Sequence, residues 1–188
     1  MRIAFVAFDR MTLLDLVGFY DAVVRLKLLG FLPDLTWEVC ARAPEVRDDR
    51  ELTLRATATP ASLKGFDLIY LPGGFGTRGL MHDRPFLDWL ATGADCPLKV
   101  SVCTGALLWG ALGALKGRRA TTHPNAYDLL RPLCAQVVED QRVVDEGPVV
   151  TARGVSASID LGLHLCRRLA GATAAEKIGQ QMDYPYGR

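Results

Sequence analysis

Apolar runs of strand length alternate with amphipathic stretches of helix length along most of this chain. Strands are predicted where apolar residues run between turn-forming residues, over residues 3–8, 36–41, 53–58, 66–71, 98–102, 120–122, 135–139, 142–144 and 149–152. Helices are predicted where apolar residues recur at helical spacing, over residues 12–29, 85–92, 104–115, 125–133, 156–169 and 173–182. This order indicates that helical crossovers join most of the strands.

The alternation of strand and helix predicts an α/β fold with a mostly parallel sheet. Because crossover helices cover both faces of such a sheet, we expect a flavodoxin-like three-layer sandwich. The segments 135–139 and 142–144 straddle Asp140 and Gln141 and predict a small C-terminal hairpin. No repeat, low-complexity tract or linker interrupts the sequence, so a single domain over residues 1–188 is expected.

The balance of charges narrows the classes of partner. Of 188 residues, 22 are Lys or Arg and 21 are Asp or Glu, which gives a formal net charge of +1. This balance argues against a nucleic-acid partner or a polybasic membrane anchor, and no uncharged apolar run approaches the roughly 18 residues of a membrane span. The apolar N-terminal stretch is too short for a signal peptide. We therefore expect a cytoplasmic protein that acts on a small molecule.

The chain has five cysteines, at positions 40, 96, 103, 134 and 166. Their odd number, wide spacing and lack of a CxxC pair fit neither a disulfide framework nor a zinc site. No pair of histidines has metal-ligand spacing either, so no metal is predicted. Four of these thiols are expected to be small buried hydrophobic groups in a reduced protein.

Cys103 differs from the other cysteines in its setting. Residues 100–106 read VSVCTGA, so a buried strand runs into Cys103, and a helix begins directly after it. Gly105 follows at the offset that permits a sharp nucleophile elbow. Such a turn would aim helix N-terminal amides at the sulfur and favour the thiolate, and it would leave the Thr104 amide free to bind a developing negative charge. A buried structural cysteine is the alternative.

Two further segments are predicted at the same edge of the sheet, because open α/β sheets bind ligands beyond the carboxyl ends of their strands. Gly73 and Gly74 follow a strand and permit close backbone approach to a ligand. The Gly74 amide could be the second oxyanion donor, with a simple tight turn as the alternative. Asp15 lies in an apolar stretch at the start of the first helix, where burial would keep it protonated as an acid. A purely structural carboxylate at a helix N-terminus is equally open.

His123 ends a short predicted strand and precedes Pro124. A histidine beside a cysteine could act as a base or orient a water molecule. A hydrogen-bonded histidine at a loop entrance is the structural alternative.

Together, these segments resemble the ThiJ/PfpI superfamily, within the class I glutamine-amidotransferase-like fold, over nearly the whole chain. Within it, the sequence is similar to the isonitrile hydratases in its Asp on the first helix, its Cys-Thr-Gly elbow, and residues 117–123 (GRRATTH) and 154–160 (GVSASID). The resemblance implies a hydro-lyase that converts an isonitrile to an N-substituted formamide without a cofactor. By position, Cys103 would be the nucleophile, Asp15 the acid/base partner and Thr104 a polar helper. It also implies a homodimer that uses the first helix near the active site.

Two positions depart from that pattern. Phe19 stands where the family usually has Pro, which would put a bulky ring near the pocket or the dimer face. Pro124 stands where isonitrile hydratases have Trp, and this form resembles the deglycase/glyoxalase branch. The alternatives are therefore a glyoxalase, deglycase or amidase of the superfamily, or a non-catalytic redox-sensing or chaperone-like protein in which Cys103 is oxidised. The ligand-sensing half of a transcription regulator is a further alternative, and a chain that ends at residue 188 argues against it.

Overall fold

The computed structural model describes residues 1–185 of the chain. Its strands are β1 (Arg2–Val6), β2 (Thr36–Cys40), β3 (Glu45–Arg47), β4 (Thr53–Arg55), β5 (Leu68–Leu71), β6 (Leu98–Val102), β7 (Arg119–Ala120), β8 (Gln136–Val137), β9 (Val143–Asp145) and β10 (Val149–Ala152). Its helices are α1 (Leu13–Leu28), α2 (Thr77–Leu80), α3 (Arg84–Ala91), α4 (Gly105–Ala111), α5 (Tyr127–Leu130), α6 (Ala157–Ala170) and α7 (Ala172–Gln181). Short 3₁₀ turns at Pro124–Ala126 and Arg131–Leu133 flank α5.

Six strands form the central sheet in the order β2-β1-β5-β6-β10-β9. The first five are mutually parallel, and β9 pairs antiparallel with β10. Helices α1, α6 and α7 pack together, while α2, α4 and α5 form a second group. The connection from β1 to β2 and the connection from β5 to β6 run in opposite directions across the sheet. Because crossovers between parallel strands are right-handed, the two groups of helices lie on opposite faces. The predicted α/β fold with a mostly parallel sheet is confirmed.

The strand pairing predicted for the hairpin is wrong. Strand β8 pairs parallel with β7 in a separate two-stranded sheet, and β9 pairs antiparallel with β10. The chain therefore reverses at Gly147, which has a φ of +80°, rather than at Asp140. A positive φ is readily adopted by glycine, which explains why the turn falls there. The C-terminal hairpin is β9–β10, at the edge of the central sheet.

The helix predicted over residues 125–133 is also interrupted. Only α5 is α-helical in that segment, with a 3₁₀ turn on each side. Pro132 has no N–H to donate and crowds the preceding turn, so a continuous helix cannot form there.

Helices α1 and α6 approach closely because small residues face each other between them. A Cβ on Gly162 would lie 2.6 Å from the Cβ of Ala22, and a Cβ on Gly18 would lie 2.3 Å from Ser158 Oγ. This contact fixes α1, which carries Asp15, against the C-terminal half of the chain. None of the helices within residues 1–185 is long and apolar enough to cross a membrane.

Candidate active site

The loops that follow β1, β5 and β6 meet at the carboxyl edge of the parallel sheet. They bring together Asp15 on α1, Gly73 after β5, and Cys103 and Thr104 at the start of α4. Gly73 lies at the centre of the group, since a Cβ on it would be 2.6 Å from Cys103 Cβ and 2.8 Å from Asp15 Oδ2. Only a residue without a side chain fits between the thiol and the carboxyl group.

Cys103 occupies a sharp turn between β6 and α4, as the sequence predicts. Its φ is +54°, a left-handed conformation that costs free energy for a non-glycine residue and that clusters at functional sites. Hydrogen bonds hold both of its peptide groups: the Cys103 N–H donates to Ala152 O at 3.0 Å and to Arg153 O at 2.6 Å, and Thr122 Oγ1 donates to Cys103 O at 2.7 Å. The surrounding strands therefore maintain the strained elbow.

Gly105 allows α4 to begin directly after the elbow. A Cβ at this position would lie 2.4 Å from Leu71 O and 2.7 Å from Pro72 O. A larger residue would push the helix away from the end of β5 and would separate Cys103 from Gly73.

Asp15 is fully buried at the start of α1. Its Oδ2 accepts a 2.9 Å hydrogen bond from the Gly73 N–H, whereas its Oδ1 has no hydrogen-bond partner among the described residues. Burial raises the pKa of this carboxyl group from 3.8 to about 7, while the Gly73 N–H and the nearby Cys103 thiol oppose the rise and the charge of Asp49 adds to it. A carboxyl group that titrates near neutral pH therefore lies beside the Cys103 thiol.

The Cys103 thiol is protonated rather than ionised. Burial and, to a lesser degree, the charge of Asp15 raise its pKa to about 12, while the Thr104 backbone N–H acts in the opposite direction. The predicted contribution of the helix N-terminus is present, since the Thr104 N–H lowers the pKa, but the burial of Cys103, which is only 5% exposed, and the neighbouring Asp15 carboxyl group outweigh it. The Thr104 amide does point at the sulfur, as predicted.

The hydroxyl group of Thr104 links the start of α4 to the loop that follows β5. Thr104 Oγ1 donates to Gly74 O at 3.0 Å and accepts from the Gly74 N–H at 3.0 Å. The Gly74 amide is therefore occupied in this structure and is not a free oxyanion donor. Gly74 has a φ of +127°, and a Cβ there would lie 2.5 Å from Arg10 O, so its backbone packs against the β1–α1 loop.

A cavity of about 270 Å³ gives access to Cys103 and Thr104. His123 lines the cavity, and its Nδ1 accepts a 3.2 Å hydrogen bond from the Asn125 N–H, which assigns its proton to Nε2. Burial lowers the pKa of His123, and the charges of Arg78 and Arg153 lower it further. A neutral imidazole with a donor on Nε2 therefore faces the cavity.

Phe19 does not contact this cavity, so its predicted position near the pocket or a dimer face is wrong. It is fully buried, and its ring stacks on that of Tyr70 with centroids 4.0 Å apart. Tyr70 in turn donates a 2.5 Å hydrogen bond to Asp15 O. Phe19 therefore belongs to the hydrophobic core, where it packs against the tyrosine that binds the backbone of Asp15.

Sequence reasoning missed several residues of the site. Tyr70 and Thr122 hold Asp15 and Cys103 in place. Tyr70 lies within a predicted strand and Thr122 within the segment GRRATTH, but neither position signals that role. The remaining cavity residues come from loops and from α2, and all but Val155, which lies in the segment GVSASID, carry no motif: Thr12, Asp49, Arg50, Phe75, Arg78, Asn125 and Val155. Within the described residues, no group of three or more His, Cys, Asp or Glu side chains is placed to hold a metal ion.

Comparison with known proteins gives a family and several relatives. A sequence model described as the DJ-1/PfpI family matches residues 1–168. The chain is 38% identical over 189 residues to the isonitrile hydratase of Pseudomonas putida, covering 98% of this chain and 78% of that protein. It is 28% identical over 123 residues to protein DJ-1alpha of Drosophila melanogaster, covering 64% of this chain and 56% of that protein.

Solved structures show the same architecture. A ThiJ/PfpI family protein from Pseudomonas syringae superposes with a TM-score of 0.85 at 30% identity, covering all (100%) of this chain and 76% of that one. The similarity therefore includes the strands and helices that carry Asp15, Gly73 and Cys103.

Proposed function

The chain belongs to the DJ-1/PfpI family, and from that premise we propose that it is a cytoplasmic isonitrile hydratase, which adds water to an isonitrile to give an N-substituted formamide. The observation that carries this proposal is the buried carboxyl group of Asp15 beside the Cys103 thiol, with an Oδ1 that has no hydrogen-bond partner within residues 1–185. A carboxyl group with a pKa of about 7 can both give and take a proton near neutral pH. The similarity to the Pseudomonas putida enzyme supports the same activity.

The reaction proceeds in two steps that balance without a cofactor. In the first, the Cys103 sulfur bonds to the terminal isonitrile carbon, Asp15 gives its proton to that carbon, and the thiol proton replaces it on Asp15. The product of this step is a thioimidate, R–N=CH–S–Cys103. Its formation breaks the S–H bond and reduces the carbon–nitrogen triple bond to a double bond, while one C–H and one C–S bond form.

In the second step, water attacks the thioimidate carbon. One water proton goes to the substrate nitrogen, the C–S bond breaks, and the other proton returns to the sulfur, which releases R–NH–CHO. Asp15 takes and returns the proton, and the Thr104 N–H stabilises charge on the sulfur as it leaves. The cavity of about 270 Å³ suits an isonitrile with a small substituent.

The test is the conversion of a neutral isonitrile such as benzyl isocyanide to its formamide, which chromatography detects. We expect turnover by the wild-type protein, no turnover by Cys103→Ala, and a loss of about 10²-fold or more in kcat with Asp15→Asn. Cys134→Ala is the matched control, because it removes a half-buried thiol away from the cavity. Absence of formamide with the wild-type protein, or normal activity of Cys103→Ala, contradicts the proposal.

A glyoxalase is the second candidate, favoured by Pro124 after His123, the form that resembles the deglycase/glyoxalase branch of the superfamily. Methylglyoxal assayed in parallel with the isonitrile separates the two activities. Consumption of methylglyoxal that depends on Cys103, with no isonitrile turnover, supports the glyoxalase.

A further inference from the structure

The cavity beside Cys103 has a cationic wall that the hydration chemistry does not use. Arg78 lines the cavity and is partly buried. Its guanidinium carbon lies 5.6 Å from the centroid of the Phe75 ring, which supports its planar face. Within the described residues, Arg78 forms no ion pair and no side-chain hydrogen bond, so its N–H donors remain available to a ligand.

The other charged groups of the cavity do not cancel Arg78. Among the described residues that line the cavity, Asp49 is the one carboxylate, but it is already paired with Arg50 and accepts a 2.8 Å hydrogen bond from Thr12 Oγ1. Its side chain is only 6% exposed. The charge of Arg78, together with that of Arg153, also acts on His123. The charged side chains that line the cavity, Asp49, Arg50 and Arg78, therefore leave a net positive charge in its wall.

We propose that this pocket selects isonitriles whose substituent carries a carboxylate, and that Arg78 binds that carboxylate while the isonitrile carbon faces Cys103. Guanidinium groups bind carboxylates through two parallel hydrogen bonds, which fix orientation as well as affinity. Phe75, which is 60% exposed at the mouth, provides an apolar surface for the carbon between the two groups. That the ligand is an isonitrile rests on the proposed hydratase function. That it carries a carboxylate is inferred from Arg78 in the cavity and does not depend on that function.

The kinetic test compares isocyanoacetate with its methyl ester, which differ in one charge. For the wild-type protein we expect kcat/KM to be about tenfold or more higher for the acid. Arg78→Ala should bring the ratio to about one, and Arg78→Lys should retain part of it because the charge remains. Arg84→Ala is the matched control, since Arg84 is exposed on α3 and paired with Asp88, and it should leave the ratio unchanged.

An equilibrium measurement keeps the anion site testable if no isonitrile is turned over. N-formylglycine, the product expected from isocyanoacetate, and its methyl ester are titrated into the wild-type and Arg78→Ala proteins by calorimetry or NMR. Tighter binding of the acid that is lost in Arg78→Ala supports the anion site, even if hydration fails. The anion site is overturned by equal binding of acid and ester, by no binding of either, or by a preference that persists in Arg78→Ala. In any of these cases, turnover of benzyl isocyanide would leave the hydratase proposal standing.

Discussion

The buried carboxyl group of Asp15 should make the stability of the protein depend on pH. Its pKa is raised by burial from 3.8, the ordinary value expected in the unfolded chain, to about 7 in the folded protein. Between these values the folded state binds more protons than the unfolded state, so the free energy of unfolding falls as pH rises. The stability that protonated Asp15 contributes to the folded state is fully present below pH 3.8 and is lost above about pH 7.

Asp15→Asn should remove this dependence, because the amide mimics the protonated acid and can still accept the Gly73 hydrogen bond. The variant should gain stability relative to the wild-type protein as pH rises from about 4 to 8, by up to about 4 kcal/mol at about 1.4 kcal/mol per pH unit. Urea unfolding at several pH values measures this difference. Asp21→Asn, which alters an exposed carboxylate on the same helix, is the control. A difference between Asp15→Asn and wild type that does not change with pH contradicts a carboxyl group that is neutral in the fold.

At the scale of elements, the elbow at Cys103 is a turn held from outside by neighbouring strands. Thr122 Oγ1 donates to the carbonyl of Cys103 at 2.7 Å, and both residues are buried. Thr122→Val preserves shape but leaves that carbonyl without a partner, which should cost about 1–3 kcal/mol of stability and lower kcat as the elbow relaxes.

The neighbouring residue provides a matched control for that substitution. Thr121 is equally buried, but its Oγ1 has no hydrogen-bond partner among the described residues. Thr121→Val should therefore be neutral or stabilising in urea unfolding and should leave kcat unchanged. Equal losses in the two variants would mean that the threonine hydroxyl does not hold the elbow.

The same elements show which parts of the fold could be predicted from the sequence. The strand over residues 98–102 is observed with those bounds, because Leu98, Val100 and Val102 recur at the two-residue period of a strand and the turn at Cys103 ends it. The strand at residues 136–137 pairs instead with Arg119–Ala120, far away in sequence. Apolar periodicity identifies a strand but not its partner, and so the hairpin was assigned to the wrong pair.

Some residues of the candidate site could be identified from local sequence patterns, and others could not. Cys103 and Gly73 lie in local patterns after strands and Asp15 at the start of a helix, and the structure brings all three together. Tyr70 and Arg78 contribute through tertiary contacts, since one supports Asp15 from the core and the other reaches the cavity from α2. No local pattern encodes such contacts. Phe19 illustrates the converse, because a departure from a family pattern was assigned to the pocket although the residue fills the core.

At the scale of the whole molecule, the exposed face of α1 is where we expect a second copy of the chain to bind. Leu14 and Val17 lie about one turn apart on this helix and are 48% and 40% exposed. Leu14 directly precedes Asp15, so a contact here would lie beside the candidate active site. In a two-fold symmetric dimer the same face of both copies is buried, and each substitution therefore acts twice.

Sedimentation velocity tests this homodimer with two variants of the same helix. Val17→Glu would place like charges against each other in an apolar interface, so it should convert a dimer to a monomer at micromolar concentration. Leu28→Glu changes the last residue of α1, which is 70% exposed, and should leave the dimer intact because it lies at the far end from the site. A wild-type protein that sediments as a monomer at every concentration, or a dimer unaffected by Val17→Glu, would show that this face does not join two copies.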